Sequence, residues 1–125
     1  MKIKEFEEIE AWKRARGLTE KIYKLSARKG FNRDWTLKDQ IRRASISIMS
    51  NIAEGFDSGF NAEFIRFLNM SRRSASEVQN HLYVALDQNY FSDDEFKLVY
   101  GETEEIRKMI IGFIKYLRNY KLVNS

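Results

Sequence analysis

The chain has no cysteine, no proline and a single histidine among its 125 residues. Without cysteine there can be no disulfide and no thiolate metal site. One histidine, His81, excludes a two-histidine metal site within one chain. The lack of proline, together with only six glycines, removes the residues that interrupt helices most strongly. Long apolar runs are missing as well. No stretch approaches the roughly 18 residues needed to span a membrane, and Met1-Lys2-Ile3-Lys4-Glu5 offers no apolar signal region. A soluble, cytoplasmic protein is the expectation.

What remains is 43% hydrophobic and 32% charged, a composition suited to long helices with short connections. One domain over residues 1–125 is expected, long enough to bury a core. In helix 1, Ile9, Trp12, Ala15, Leu18, Ile22 and Leu25 recur every three or four positions, predicting a helix from near Glu7 to Ala27 that ends before Lys29-Gly30. Phe31-Asn32-Arg33-Asp34-Trp35 is a short connection whose two aromatics are expected to cap the bundle end. Thr36 followed by Asp39 reads as the N-cap and acidic third position that open helix 2, which stops at Gly55. Asn61 is expected to cap helix 3, running to about Asn89. Ser92-Asp93-Asp94-Glu95 is a capping box opening helix 4, where Phe96, Val99, Thr103, Ile106, Ile110, Phe113 and Leu117 alternate threes and fours. Val123-Asn124-Ser125 is expected to fray. Together these predict an all-α, antiparallel up-down-up-down four-helix bundle.

Helix 2 is the most informative element. Leu37, Ile41, Ala44, Ile46, Ile48, Met49, Ile52, Ala53 and Phe56 spread over roughly half its circumference. A surface helix with one core buries an arc of about 100°, so a second set of neighbours, another subunit, is implied. Opposite lies a polar stripe of Gln40, Arg43, Ser47, Ser50, Asn51 and Glu54. Arg43, Ser47, Asn51 and Glu54 have two readings. They form an interface or ligand-binding network, or Asn51 and Glu54 satisfy backbone groups near the helix end while Arg43 joins a salt bridge. Arg43 and Glu54 lie about 16 Å apart along the axis and cannot pair within the helix.

Charge is distributed unevenly. Residues 1–30 hold nine Lys or Arg against five Glu, and the other ninety-five hold thirteen of each sign, so the net +4 belongs to the first segment. Arg14, Lys21, Lys24 and Arg28 fall on one stripe of helix 1. Such a stripe attracts phosphates without sequence preference, or is simply a solvated face. In helix 4, acids occupy the first half and bases mostly the second, an order that complements the helix dipole.

Catalytic chemistry finds little support. Glu77 and His81 share a face, but a di-iron site wants Glu-x-x-His on two helices plus two further Glu. A helical ribonuclease of the Arg-x(4 to 6)-His kind is poorly matched, because seven residues separate Arg73 from His81. No phosphate loop, nucleophile elbow or serine triad is visible. No cofactor or metal is expected.

Gln40-Ile41-Arg42-Arg43-Ala44 with Ser47-Ile48-x-x-Asn51-Ile52-Ala53-Glu54-Gly55, followed by EFIRFL and SASEV, resembles the small bacterial bundle proteins encoded in intervening sequences of 23S rRNA genes. Through them it resembles the accessory protein of diversity-generating retroelements. The resemblance runs from about Phe6 to Leu117. It implies an up-and-down bundle assembled into a pentameric ring, with no established catalysis; the retroelement relative binds nucleic acid and a reverse transcriptase. Two positions depart from the family pattern. Met49 replaces a usual proline, so helix 2 is expected to run straighter. Phe56-Asp57-Ser58-Gly59-Phe60 replaces a basic turn, which weakens a nucleic-acid role for that loop. The reading is a non-catalytic homo-oligomeric adaptor that binds RNA or DNA through helix 1, with a nucleic-acid enzyme as a further partner and no membrane. The alternative is a protein-binding scaffold with no nucleic-acid role.

Overall fold

The computed structural model describes residues 3–124, with side chains described as far as 119. It contains four long helices: α1 Glu10–Ser26, α2 Trp35–Asp57, α3 Asn61–Asp87 and α4 Asp93–Asn124. Each packs against its neighbours in sequence, and α4 closes back on α1, giving the antiparallel up-down-up-down bundle. The α2–α3 pair is the most extensive and α1–α4 the least. Leu18, Ile22, Ile41, Ile48, Ile52, Leu68, Leu82, Ile106, Ile110 and Leu117 are all but fully buried between them. Each such side chain contributes on the order of 1.5–3 kcal/mol by leaving water.

The helix ends correct several expectations. Helix 1 begins later than Glu7: Phe6–Glu8 forms a separate 3-10 turn and Ile9 is extended. Glu8 causes the break by reaching back, its Oε2 accepting the backbone N–H of Glu5 at 2.8 Å and of Lys4 at 3.0 Å. The cap of α2 is Asp34, not Thr36, with Asp34 Oδ1 accepting from Leu37 N at 3.1 Å. A carboxylate satisfies the free N–H groups and also meets the positive end of the helix dipole. Its other oxygen accepts the Tyr90 hydroxyl at 2.8 Å, which fastens the start of α2 to the α3–α4 connection. Phe31 does close the bundle end, buried and stacked on Tyr90 with ring centroids 4.9 Å apart. Trp35 does not: it is 73% exposed, with Lys38 Nζ over its ring.

α2 runs unbroken through Met49 and continues past Gly55 to Asp57. Gly55 instead lets α3 approach: a Cβ there would fall 2.7 Å from Phe67 Cβ and 2.9 Å from Phe64 Cδ1. Asn61 is the first residue of α3 and caps nothing; its Nδ2 donates to Leu117 O on α4 at 3.4 Å. α3 ends at Asp87. The Ser92–Glu95 capping box forms in both directions, at 2.9 and 3.1 Å. α4 remains helical through Val123 and Asn124, which the sequence suggested would fray, while Ser125 lies outside the described residues.

Candidate functional site

The basic stripe of α1 and the acidic half of α4 meet. Arg14 pairs with Glu105, Lys21 with Glu102, and Arg28 Nη2 with Glu95 Oε2 at 2.5 Å. The three pairs run antiparallel along the seam with the fewest close contacts between neighbouring helices. Lys24 pairs within its own helix, 3.5 Å from Glu20. The structure therefore brings Arg14, Lys21, Lys24 and Arg28 onto one face, and supplies each with a carboxylate. The pairs are partly exposed, so each stabilises by about 0–1 kcal/mol. Their larger effect is on potential: positive charges that attract phosphates in isolation are locally cancelled. Hydrogen bonding to Glu95 raises the Arg28 pKa. Arg28 first, then the Ser92 backbone N–H, holds the Glu95 carboxyl down at about 2.

The polar stripe of α2 divides. Ser47 and Asn51 come together with Ser74 of α3. Asn51 Nδ2 donates to Ser47 Oγ and O, each at 2.9 Å, and Ser74 Oγ lies 2.9 Å from Ser47 Oγ. One turn away, Ser71 Oγ donates to Ile48 O at 2.7 Å. These short side chains satisfy one another where α2 and α3 are too close for long charged ones. Arg43 is exposed and bound to Asp39 within its own helix at 2.8 Å. Glu54 is exposed, and its carboxylate has no hydrogen bond or ion pair among the described residues. Arg43 and Glu54 thus stand outside the network formed by Ser47 and Asn51.

Two arrangements escaped the sequence. Arg42, beside the singled-out Arg43, helps tie α2 to α1. Its Nε donates to the buried Ser26 Oγ at 2.8 Å, Nη2 reaches Tyr23 O at 3.3 Å, and the guanidinium lies 4.3 Å from the Tyr23 ring centroid. On α3 and α4, Glu104 accepts two bonds from Arg107 at 2.8 Å and one from Gln79 at 2.9 Å. Arg107 first, then Gln79, lowers the Glu104 pKa to about 2. The spacing of Glu104 and Arg107 is a visible local signal; the Arg42–Ser26 contact joins residues sixteen apart and has none.

His81 Nε2 is buried and has no hydrogen-bond partner among the described residues. Burial pushes its pKa down, opposed by the nearby Glu77 carboxylate. Arg73 is exposed, and no hydrogen bond joins it to His81 among the described residues. Among the described residues no cluster of three His, Cys, Asp or Glu side chains could hold a metal ion. No described helix is long and apolar enough to cross a membrane.

These features define an all-α bundle sealed along one seam by charge and along the opposite one by small hydroxyl side chains. The chain belongs to the 23S rRNA-intervening sequence protein family, whose sequence profile matches residues 7–112. Among solved structures it is similar to a Bacteroides thetaiotaomicron protein of unknown function from the S23 ribosomal protein family. The two superpose with a TM-score of 0.77 at 24% identity, over 84% of this chain and 98% of the other. No relative matches among curated proteins.

Proposed function

We propose that the chain is a non-catalytic adaptor that assembles with copies of itself and holds RNA or DNA through their phosphates. The resemblance drawn from the sequence suggests a five-membered ring. The observation that supports self-assembly is the uncovered part of the apolar arc of α2. Ile46 is 40% exposed there, and Met49, Ala53 and Phe56 are only half-buried. A second copy covering this arc would remove apolar surface from water at about 25 cal/mol per Å². Assembly also repeats every cationic site around the ring, and linked sites gain avidity without new contacts. A nucleic-acid enzyme, as the retroelement resemblance suggests, is a fitting further partner for such a ring.

The α1 stripe is a weaker phosphate surface than its cations alone imply, since Arg14, Lys21, Lys24 and Arg28 already have carboxylate partners. That neutralisation favours the second reading, a protein-binding scaffold, unless other cations take over the phosphate role. Native mass spectrometry of the wild type and of Ile46→Glu tests assembly. The expected result is a discrete oligomer that falls to monomer in the variant. A wild type that stays monomeric at micromolar concentration contradicts the proposal.

A further inference from the structure

Cations with no acidic partner among the described residues gather on the other face of α4. A groove of about 250 Å³ between α3 and α4 is lined by Asn69, Arg72, Ile111, Ile114, Lys115 and Arg118. Three of its six lining residues are cationic and none is acidic. The surrounding sequence is also free of acids: residues 64–76 and 106–125 contain no Asp or Glu. Arg66 and Arg107, nearby on the same two helices, each have a glutamate. Among the described residues Arg72 has only a neutral one, Asn69 Oδ1, 3.4 Å from both its Nε and Nη2. Asn69 is itself steadied by its Nδ2 donating to Ile65 O at 3.2 Å.

The helix dipole suits the general order of charge along α4 but reaches too short a distance to account for this cluster. Its pull on cations is confined to the last turn, whereas Arg118 and Lys115 stand six and nine residues before Asn124, the end of α4. Arg72 lies in the middle of α3, Asn61–Asp87, where no such pull exists. Three like charges facing one groove repel one another, and an anion with several oxygens relieves that repulsion. Ile111 and the buried Ile114 line the groove between the cations, and Lys115 and Arg118 are exposed, open to an anion from solvent. Arginine and lysine together suit phosphate, the first through its planar fork and the second as a point charge.

We infer that the α3–α4 groove, through Arg72, Lys115 and Arg118, seats the phosphodiester backbone of RNA or DNA; this rests on the nucleic-acid reading above. The test is fluorescence anisotropy of labelled RNA and DNA hairpins across a salt series, with wild type and the triple variant Arg72→Gln, Lys115→Gln, Arg118→Gln. Helical circular dichroism confirms the fold, and Lys115→Gln with Arg118→Gln serves as a milder variant that keeps the Arg72–Asn69 contact. Loss of three phosphate contacts is expected to weaken binding roughly tenfold or more and to flatten the log–log salt slope by about 2 to 3. Both hairpins are expected to respond, because phosphates are common to them. If wild type binds and the folded variants bind equally well with an unchanged slope, the groove assignment is overturned and the nucleic-acid reading stands. If wild type binds neither hairpin at low salt, both are overturned.

Discussion

Glu95 Oε2 accepts Arg28 Nη2 at 2.5 Å while its Oε1 accepts the backbone N–H of Ser92 at 2.9 Å. One carboxylate therefore caps α4 and cancels a charge of the α1 stripe. Glu102 and Glu105 cancel two more. Replacing Glu95, Glu102 and Glu105 by Gln is expected to free the stripe and create salt-sensitive nucleic-acid affinity on α1, beyond that of the wild type. Anisotropy of a labelled hairpin checks this. Unchanged affinity would show that the carboxylates do not mask the stripe.

Gly55 sets the separation of α2 and α3. Gly55→Ala drives a Cβ against Phe67 Cβ and the Phe64 ring, an overpacking expected to cost about 1–3 kcal/mol. Gly17 offers the contrast, since a Cβ there meets nothing within 4 Å. Gly17→Ala in the interior of α1 is expected to stabilise by up to about 1 kcal/mol. Opposite shifts in urea midpoint for the two variants are the expected result.

Adjacent arginines in α2 are expected to behave differently. Arg42→Ala removes the donor to buried Ser26 and the packing over Tyr23, costing about 1–3 kcal/mol. Arg43→Ala removes an exposed pair with Asp39, worth at most about 0.5 kcal/mol. Chemical denaturation of the two single variants distinguishes them.

Acid stability follows from Glu95 and Glu104, each lowered from 4.5 to about 2. Their folded pKa values lie below the unfolded ones, so the stabilisation is present above pH 4.5 and is lost as pH falls toward 2. Melting temperature is expected to decline through that window, and less steeply in Glu104→Gln. His81 acts earlier. Its pKa is depressed by burial, so protons bind the unfolded chain first and stability begins to fall below about pH 6.5. An NMR titration placing the His81 midpoint at or above 6.5 would contradict this.

The fold was legible because it depends on local periodicity and composition. The heptad-like run from Phe96 to Leu117 and the Ser92–Glu95 box needed no knowledge of neighbours. Where Thr36 and Asp34 compete to cap α2, sequence spacing favoured Thr36, but the Tyr90 hydroxyl arriving from the end of α3 holds Asp34 in place. Similarly, Arg14, Lys21 and Arg28 are visible as one stripe, and Glu95, Glu102 and Glu105 as an acidic half-helix. Their pairing depends on α4 folding back against α1, which neither segment encodes alone. The α3–α4 groove was hidden for the same reason: Arg72 is separated from Lys115 and Arg118 by more than forty positions. Ser47 and Asn51 were visible only as members of one polar stripe with Arg43 and Glu54; their bond to each other and to Ser74 depends on the approach of α3 to α2.

The most direct test of the central claim is equilibrium binding of the wild-type protein to an RNA hairpin at 50 and 200 mM salt. An adaptor holding nucleic acid through several phosphates in each ring is expected to bind at the lower concentration and lose roughly a thousandfold in affinity at the higher. Absence of binding at 50 mM would contradict the account and leave the protein-binding scaffold as the reading of this bundle.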